Sequence, residues 1–483
     1  MPDEGALSAA ERRALVALDR DGLVAFLREL IAIPSLDGAE SPAQRAIGAW
    51  MERAGFATDI WRIDLRELAK HPDYCSEVER HEALGVVGWV GERVAEHTSG
   101  GAAAGSGAGR DLMLNGHIDV VPVGEEAAWT TPPWDPAVRD GRVYGRGAVD
   151  MKGGLVCALF AAKAIRDAHV RLRGRLSVAS VVGEEDGGTG TLATILRGHT
   201  ADGAIVIEPT ELAVIPAQAG SLMFRLIVPG FSAHGCVREE GVNAIEKFLP
   251  LFTALRQLEA ERCGVASGAA HVAGDPHAPL FARYPLPWPI EIGTLRAGYW
   301  ASSVPDKLVA EGRFGVAISE NPAAARRALE EAITRAAAAD PWLVEHPPTV
   351  EWWGGRFYPA LTDPADPIVA TVVGAAMAVT GAPPPLEGVT YGADMPLGQR
   401  WRHPHRAVRP RRRTSGPHGG RVRADRPAAR HSRGARSHGD PLLRRGGIGP
   451  STPECVNQLW RAVAHRRIVA HLFSRQRGRC RIC

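Results

Sequence analysis

The stretch LMLNGHIDVV (residues 112–121) begins as an apolar strand and ends in a histidine and an aspartate. Two more segments rich in Val and Ile follow, RLSVASVVGEED (175–186) and GAIVIEP (203–209), and each also has acidic residues at its end. Segments with helical spacing, 151–167 and 189–198, lie between these strands. This alternation predicts an α/β domain with a mostly parallel sheet and helices on both faces. Open sheets of this kind place their sites at the carboxyl ends of the strands.

A second pattern begins near residue 216. Predicted strands and helices follow in the order β-α-β-β-α-β, which is typical of a ferredoxin-like α+β domain. They comprise 221–230, 243–263, 289–300, 307–317, a helix opened by Asn321 and Pro322, and 348–355. Segment 368–380 has helical spacing and returns the chain to the first domain, so the smaller domain is predicted to be an insertion. The predicted boundaries are 1–215 and 357–397 for the first domain, 216–356 for the insertion and 398–483 for a basic tail.

The net charge of +3 conceals two oppositely charged parts of the chain. From Gly398 onward there are 22 arginines, no lysine and three acidic residues, a net of +19, so the preceding residues carry a net of −16. An acidic body has no electrostatic reason to bind the phosphate backbone of a nucleic acid.

The cysteine pattern and the N-terminal segment bear on the cellular setting. Seven scattered cysteines indicate reduced thiols rather than a disulfide framework. Residues 8–30 and 42–54 have helical spacing, and the first of these segments lacks the apolar core of a signal peptide. No segment reaches the roughly 18–20 apolar residues that span a bilayer. These features predict a cytoplasmic protein without a membrane partner.

Polar side chains gather at the ends of the predicted strands of the first domain. They are His117, Asp119, Asp150, Glu184, Glu185 and Glu208. Taken singly, such a carboxylate is usually a helix cap or a solvated turn residue, and such a histidine is usually structural. Together at one sheet edge, however, the carboxylates would repel one another unless cations were bound. Asp119 can orient the His117 ring through a hydrogen bond, and this ligand set suits zinc, with cobalt or manganese as alternatives.

The motifs that contain these residues resemble those of the M20 metallopeptidase family. The matching segments are GHIDVVP, PPWDP, DGRVYGRGAVDMKGG, GEEDGGTGT and EPT. This family includes acetylornithine deacetylase, succinyl-diaminopimelate desuccinylase, aminoacylases and a glutamate-releasing carboxypeptidase. The resemblance runs from about residue 20 to residue 397. It implies a zinc-exopeptidase-like catalytic domain with an inserted lid and dimerisation domain, and two divalent metal ions per subunit, zinc or cobalt.

The resemblance also implies a role for each residue at the sheet edge. Asp150 would bridge the two metal ions, His117 and Glu208 would complete one side, and Glu185 would bind the other metal. Glu184 would be the general base that takes a proton from the attacking water and hands it to the leaving amine.

Three residues of the predicted insertion match the family's substrate and dimer motifs. His234, in PGFSAHGCVREEG, would assist at the oxyanion, and in dimeric members of the family this histidine reaches the partner subunit's site. Arg313, in EGRF, would grip the carboxylate of the substrate with its planar, bidentate guanidinium. Ser302, in ASSVPD, stands where many members have asparagine, which affects substrate preference. A surface ion pair for Arg313 and a packed turn for His234 are the structural alternatives.

The resemblance ends after GADMPL. Family members continue with an apolar strand, a glycine turn and a histidine that is the last ligand of the second metal, and none of these is recognisable here, which puts the second metal site in doubt. A basic nucleic-acid arm and a solvated linker are two interpretations of the tail, which would then be disordered. The abrupt onset of an Arg-, Pro- and Gly-rich segment without lysine favours a third, a read out of frame after codon 397.

The sequence therefore predicts a homodimeric metal-dependent amidohydrolase that cleaves the amide of an N-acyl amino acid. The substrate would carry a free carboxylate. A dipeptidase or carboxypeptidase of the same family is an alternative, and a catalytically impaired product of the altered C-terminus is another. A nucleic-acid binder acting through the tail is the alternative from a different class.

Overall fold

The computed structural model of the protein describes residues 7–92, 109–264 and 276–398. The helices are α1 (Ala9–Val16), α2 (Arg20–Ala32), α3 (Ser41–Arg53), α4 (Leu65–Leu68), α5 (Lys152–Asp167), α6 (Thr189–Leu196), α7 (Ala244–Arg262), α8 (Pro322–Ala337), α9 (Pro341–Glu345), α10 (Pro367–Thr380) and α11 (Met395–Gly398). The strands are β1 (Ala57–Arg62), β2 (Leu84–Val90), β3 (Leu112–His117), β4 (Ala137–Arg139), β5 (Arg142–Tyr144), β6 (Leu176–Val181), β7 (Gly203–Val206), β8 (Val214–Gln218), β9 (Gly220–Pro229), β10 (Ile290–Ala297), β11 (Lys307–Val316), β12 (Thr349–Phe357), β13 (Ala360–Leu361) and β14 (Leu386–Val389).

The main sheet has the strand order β1-β2-β6-β3-β7. Strand β3 is parallel to both of its neighbours, β6 and β7, while β2 is antiparallel to β1 and to β6. Four of the five strands therefore run in one direction, and the prediction of a mostly parallel sheet is confirmed. The carboxyl ends of β3, β6 and β7 meet at the same edge.

Helices cover both faces of this sheet because the central strands are apolar on both sides. Leu114 packs with Ile47 of α3, whereas its neighbour Met113 packs on the opposite face with Ile195 of α6. Successive strand residues point to opposite faces, so continuous apolar strands such as β3 need cover on both sides.

The segment with helical spacing near the N-terminus is divided in two. Residues 8–30 form two helices, α1 and α2, rather than one. The carboxylate of Asp19 accepts a hydrogen bond from the Gly22 backbone N–H at 2.8 Å and caps α2. The cap favours a new helix start at this point, so the chain turns between the two helices.

A second, four-stranded sheet has the order β10-β11-β9-β12 and is antiparallel throughout. Helices α7 and α8 pack against it, and its core contains Phe224, Phe314, Leu251 and Leu329, all fully buried. Helix α8 starts as predicted at Asn321, whose side chain accepts from the Ala323 N–H at 2.8 Å.

A third, small sheet (β13-β8-β14) shares no hydrogen-bonded strand pair with the main sheet in the described residues. A cavity of about 230 Å³ is lined by residues of both β7 and β8, among them Ile205, Ile215 and, past the end of β7, Glu208. Within the described part of the chain, β7 has a hydrogen-bonded neighbour on one side only.

None of the helices in the described ranges has the length and apolarity needed to cross a bilayer. The predictions for the basic tail fall on residues outside the described part of the chain, apart from Gly398 itself.

Candidate metal centre

Five polar side chains converge at the carboxyl edge of the main sheet. His117 is the last residue of β3, Glu184 and Glu185 lie in the turn after β6, Glu208 lies two residues past β7, and Asp150 lies just before α5. Parallel strands bring their carboxyl ends together, which explains how residues from 117 to 208 meet in one site.

The contacts of His117 fix the orientation of its ring. The ring is buried, and its Nδ1 lies 2.9 Å from the backbone carbonyl oxygen of Asp119. A carbonyl oxygen only accepts, so Nδ1 carries the proton and the neutral ring keeps its lone pair on Nε2. That Nε2 lies 3.1 Å from Asp150 Oδ1 and 4.0 Å from Glu184 Oε2. A lone pair that faces carboxylate oxygens needs a proton or a cation between them.

The carboxylate of Asp119 is placed differently from the sequence expectation. Its Oδ1 lies 3.8 Å from His117 Nδ1, and its Oδ2 accepts from the Glu185 backbone N–H at 3.0 Å. The backbone carbonyl of Asp119 therefore orients the histidine, and its side chain holds the turn that carries Glu185.

The side chains form two groups whose potential ligand atoms lie within 4.8 Å of one another. One group is His117, Asp150 and Glu185, and the other is His117, Glu184 and Glu208. A carboxylate oxygen of Glu184 thus lies within 4.8 Å of the potential ligand atoms of both His117 and Glu208.

Burial and mutual repulsion raise the pKa values of these carboxyl groups. Burial raises the pKa of Glu208 to about 8 and that of Glu185 to about 7, and the charge of Asp150 adds to both shifts. Burial, together with the charge of Glu208, raises the pKa of Glu184 well above its ordinary value. Burial opposes the charged form of His117, but the surrounding carboxylates, Asp119 foremost, raise its pKa well above the ordinary value.

Unpaired buried oxygens indicate what the site accommodates. Glu184 Oε1 and Glu208 Oε1 are buried and have no hydrogen-bond partner among the described residues. Buried charges are normally paired or coordinate metals. One imidazole nitrogen with several carboxylate oxygens is a donor set that fits divalent zinc or cobalt.

Asp394 belongs to the surroundings of this centre, and the sequence analysis gave it no role. It is buried and accepts hydrogen bonds from the Thr191 hydroxyl and from Asn115 Nδ2, the latter at 3.2 Å. Burial raises the pKa of Asp394 to about 6. Asn115 precedes His117 by two residues on β3, so Asp394 anchors the strand that carries the histidine. The sequence signal that could have identified Asp394 is its place in the GADM motif, residues 392–395.

His234 and Ser302 lie together in the antiparallel unit. The Gly235 N–H donates to the Ser302 carbonyl at 2.7 Å, and His234 forms a β-bridge with Ser303. The His234 ring packs edge-on against Trp300, with 5.8 Å between ring centroids. No described contact joins either residue to the five converging side chains.

Arg313, on β11, lies between the antiparallel unit and the main domain. Its Nη2 donates to the Thr390 backbone carbonyl at 3.0 Å, and its Nε is buried without a hydrogen-bond partner in the described structure. Burial lowers the pKa of its guanidinium. Thr390 precedes Tyr391, which lines the cavity together with Glu208.

The sequence model of peptidase family M20/M25/M40 matches residues 113–410, the region that contains all of these side chains. The chain belongs to this family. The members of this family are metallohydrolases that act on amide or peptide bonds, and curated relatives are named as a deformylase and a desuccinylase, so the chain is a metallohydrolase by family.

Two curated M20 relatives are deacylases by name. The N-formyl-4-amino-5-aminomethyl-2-methylpyrimidine deformylase of Halalkalibacterium halodurans is 30% identical over 375 residues, which cover 72% of this chain and 77% of that protein. The succinyl-diaminopimelate desuccinylase of Burkholderia vietnamiensis is 35% identical over 246 residues, which cover 48% of this chain and 60% of that protein.

The fold is also that of a solved M20-type enzyme. The dipeptidase Dug1p of Saccharomyces cerevisiae matches with a TM-score of 0.63 over 82% of this chain and 90% of its own, at 14% identity. This likeness establishes the shared architecture.

Proposed function

We propose that the protein hydrolyses the amide bond of a small N-acyl compound with the help of divalent metal ions. The observation that carries this proposal is the buried His117 ring, whose Nε2 lies 3.1 Å from Asp150 Oδ1. Glu184 and Glu208 complete this arrangement with buried, unpaired oxygens. Only cations relieve the repulsion of so many acceptors without protonating them.

The proposed ligand assignment uses both groups at the sheet edge. His117, Asp150 and Glu208 would hold one ion, and Asp150 and Glu185 would hold the other. Asp150 lies in one ligand group with His117 and Glu185, and its side chain is 52% exposed. The bound ions would lower the pKa of a water molecule and polarise the substrate carbonyl.

Glu184 is the proposed general base. It is 5% exposed, and in the metal-free protein its carboxylate is strongly destabilised, which makes it a good proton acceptor near neutral pH once cations are bound. Glu184 takes a proton from the attacking water and later delivers it to the leaving amine.

The deacylase names of the two curated relatives support an N-acyl amine as the substrate class. The formylated pyrimidine named for the first relative contains no carboxylate, whereas succinyl-diaminopimelate contains several. The proposed binding of a substrate carboxylate by Arg313 therefore applies to substrates of the second kind. The same holds for a second substrate contact from Ser302, which lies beside His234.

A homodimer through the antiparallel unit is part of the proposal. Large apolar side chains are exposed in this unit, including Phe231, Leu295, Tyr299 and Trp300, and β10 is an edge strand with mostly exposed residues. Such a patch favours association. A partner subunit would also explain why His234 lies apart from the metal centre of its own chain.

A substrate panel tests the proposed function. The purified chain is stripped of metal, supplied with Zn²⁺ or Co²⁺, and assayed with N-formyl amines, N-acetyl and N-succinyl amino acids, and dipeptides. Cleavage of an N-acyl substrate that depends on added metal and is lost in Glu184→Gln supports the proposal. Cleavage of dipeptides alone would favour a peptidase.

Metal stoichiometry tests whether both sites form. Close to two ions per chain supports the two-metal assignment. One ion or none, with no cleavage of any substrate, indicates a catalytically impaired protein.

A further inference from the structure

A single buried guanidinium lies behind the turn that carries Glu184 and Glu185. The side chain of Arg80 is 1% exposed, and all five of its N–H donors have acceptors. Its Nε and Nη2 donate to Glu40 Oε1 at 3.0 and 2.9 Å. Its Nη1 donates to Ser76 Oγ at 2.9 Å and Asp186 Oδ2 at 2.7 Å, and Nη2 also reaches Asp37 Oδ1 at 3.3 Å. Because all five donors of the planar guanidinium are bonded, the Arg80 side chain is held in one orientation.

Asp186 directly follows the two glutamates, and its Oδ2 is the focus of a second set of contacts. Besides Arg80, it accepts from Ser76 Oγ at 2.8 Å and from the backbone N–H groups of Glu77 and Val78 at 3.1 and 3.3 Å. Asp186, which follows Glu184 and Glu185 in this turn, is therefore held by four donors from residues 76–80. We call residues 72–80 the strap.

The strap also contacts the antiparallel unit. Glu77 Oε1 accepts from the Gly355 N–H at 2.9 Å, and Arg356 Nη2 donates to the Pro72 and Tyr74 carbonyls at 2.8 and 3.2 Å. Both Gly355 and Arg356 lie on β12, at the irregular part of its pairing with β9. The strap therefore joins β12 to the turn of the metal centre.

We infer that Arg80, through Asp186, is a positioning residue that sets the direction of the Glu184–Glu185 turn toward the metal centre. The inference rests on the proposed function of that centre. Adjacent residues share one rigid peptide plane, so a shift of Asp186 moves Glu185 and then Glu184. Groups that orient metal ligands change metal affinity about 10- to 100-fold when they are removed.

The electrostatic surroundings agree with this geometry. Burial raises the pKa of Asp37 to about 8, the charges of Asp119 and Asp186 raise it further, and Arg80 opposes them. Arg80 is thus a buried cation that partly offsets the mutual repulsion of the carboxylates around it. Removal of one member of a buried ion pair leaves an uncompensated charge.

Three variants of the full-length chain test the inference. Arg80→Met removes the charge and the fork, Arg80→Lys keeps the charge without the fork, and Asp186→Asn keeps the shape of the acceptor. Arg45→Met is the matched control, because Arg45 forms an ion pair with Glu82 at the surface and its side chain is 57% exposed.

The measurements are the Kd for Co²⁺, the Co²⁺ absorption spectrum, kcat and KM, and unfolding in urea. We expect Arg80→Met to raise the Kd about 10- to 100-fold, to alter the Co²⁺ spectrum and to lower kcat more than KM changes. Arg80→Lys should recover stability more fully than it recovers the Co²⁺ spectrum, because an ammonium cannot serve three carboxylates with the geometry of the fork. Arg45→Met should match the wild type in every measurement.

A Co²⁺ spectrum and Kd in folded Arg80→Met within twofold of wild type would overturn the inference. If Arg80→Met does not fold, Asp186→Asn decides in the same way, because it removes only the charge of the acceptor. If the wild-type chain binds no Co²⁺, the proposed metal centre itself fails and the inference fails with it. That outcome can be told apart from a failure of the inference alone, because it is measured in the wild-type chain before any variant is compared.

Discussion

The affinity of the centre for metal is predicted to rise steeply with pH. In the metal-free protein, the pKa of Glu208 is raised to about 8 and that of Glu185 to about 7. Both must be ionised to bind a cation, so protons compete with the metal. From pH 6 to pH 8 the ionised fraction grows about 50-fold for a pKa of 8 and about 10-fold for a pKa of 7. From these carboxyl groups alone, we expect the Kd of the proposed Glu208 site to fall by about 50-fold and that of the Glu185 site by about 10-fold, and loss of the His117 proton adds to both changes.

The same shifts predict how the stability of the metal-free protein depends on pH. A carboxyl group whose pKa is higher in the folded than in the unfolded chain keeps its proton longer in the folded state. The folded protein therefore binds more protons between the unfolded pKa, near 4.5, and the raised values of about 7 and 8. The free energy of unfolding of the metal-free protein should then fall as pH rises through that window. Bound metal should remove this loss.

The assay is a titration of metal-free protein with Co²⁺ at pH 6, 7 and 8, followed by absorption in competition with a chelator. Glu208→Gln should abolish the steeper of the two pH dependences, whereas the surface variant Glu82→Gln should retain both. Dissociation constants that differ by less than threefold between pH 6 and pH 8 would refute the reasoning. Urea unfolding of the metal-free protein over the same pH range gives the independent check on stability.

Three further predictions address catalysis, the core and assembly. Glu184→Gln should lower kcat by about 10²- to 10⁴-fold while changing the Co²⁺ affinity less than tenfold; a large loss of affinity would instead identify Glu184 as a ligand, as its proximity to His117 and Glu208 allows. Phe224→Ala removes a fully buried side chain and should lower the free energy of unfolding by about 3–5 kcal/mol in urea titrations, whereas Val16→Ala, at a residue that is 88% exposed, should cost much less. Trp300→Glu should convert the proposed dimer to a monomer in light scattering, and an unchanged mass would contradict an interface at this patch.

The central strands and the site could be predicted because their signals are local. Apolar strands such as β3 stand out in the sequence, and their carboxyl ends in a parallel sheet must meet. His117, Glu185 and Glu208 therefore converge although the chain between them is long. Helical spacing alone does not locate the break between α1 and α2, because the spacing of apolar residues continues across it, while the Asp19 cap is a weaker signal.

The supporting contacts could not be predicted because they depend on pairs far apart in the chain. Arg80 meets Asp186 across 106 positions, and Asn115 meets Asp394 across 279. Nothing near Arg80 in the sequence distinguishes it from a surface arginine. The reversed direction of β2 has the same origin, since strand direction follows from connections that the apolar pattern does not encode.

The one-sided pairing of β7 has a consequence for solubility. Its residues line a cavity of about 230 Å³, which residues of β8 and α10 also line, and the described part of the chain gives β7 no second partner strand. A strand edge without a hydrogen-bonded partner is a template for pairing with another chain. Association there would be open-ended and dependent on concentration, unlike a closed dimer through β10. The four residues that lead the chain to Glu208 thus also form a strand edge that offers pairing to a second chain.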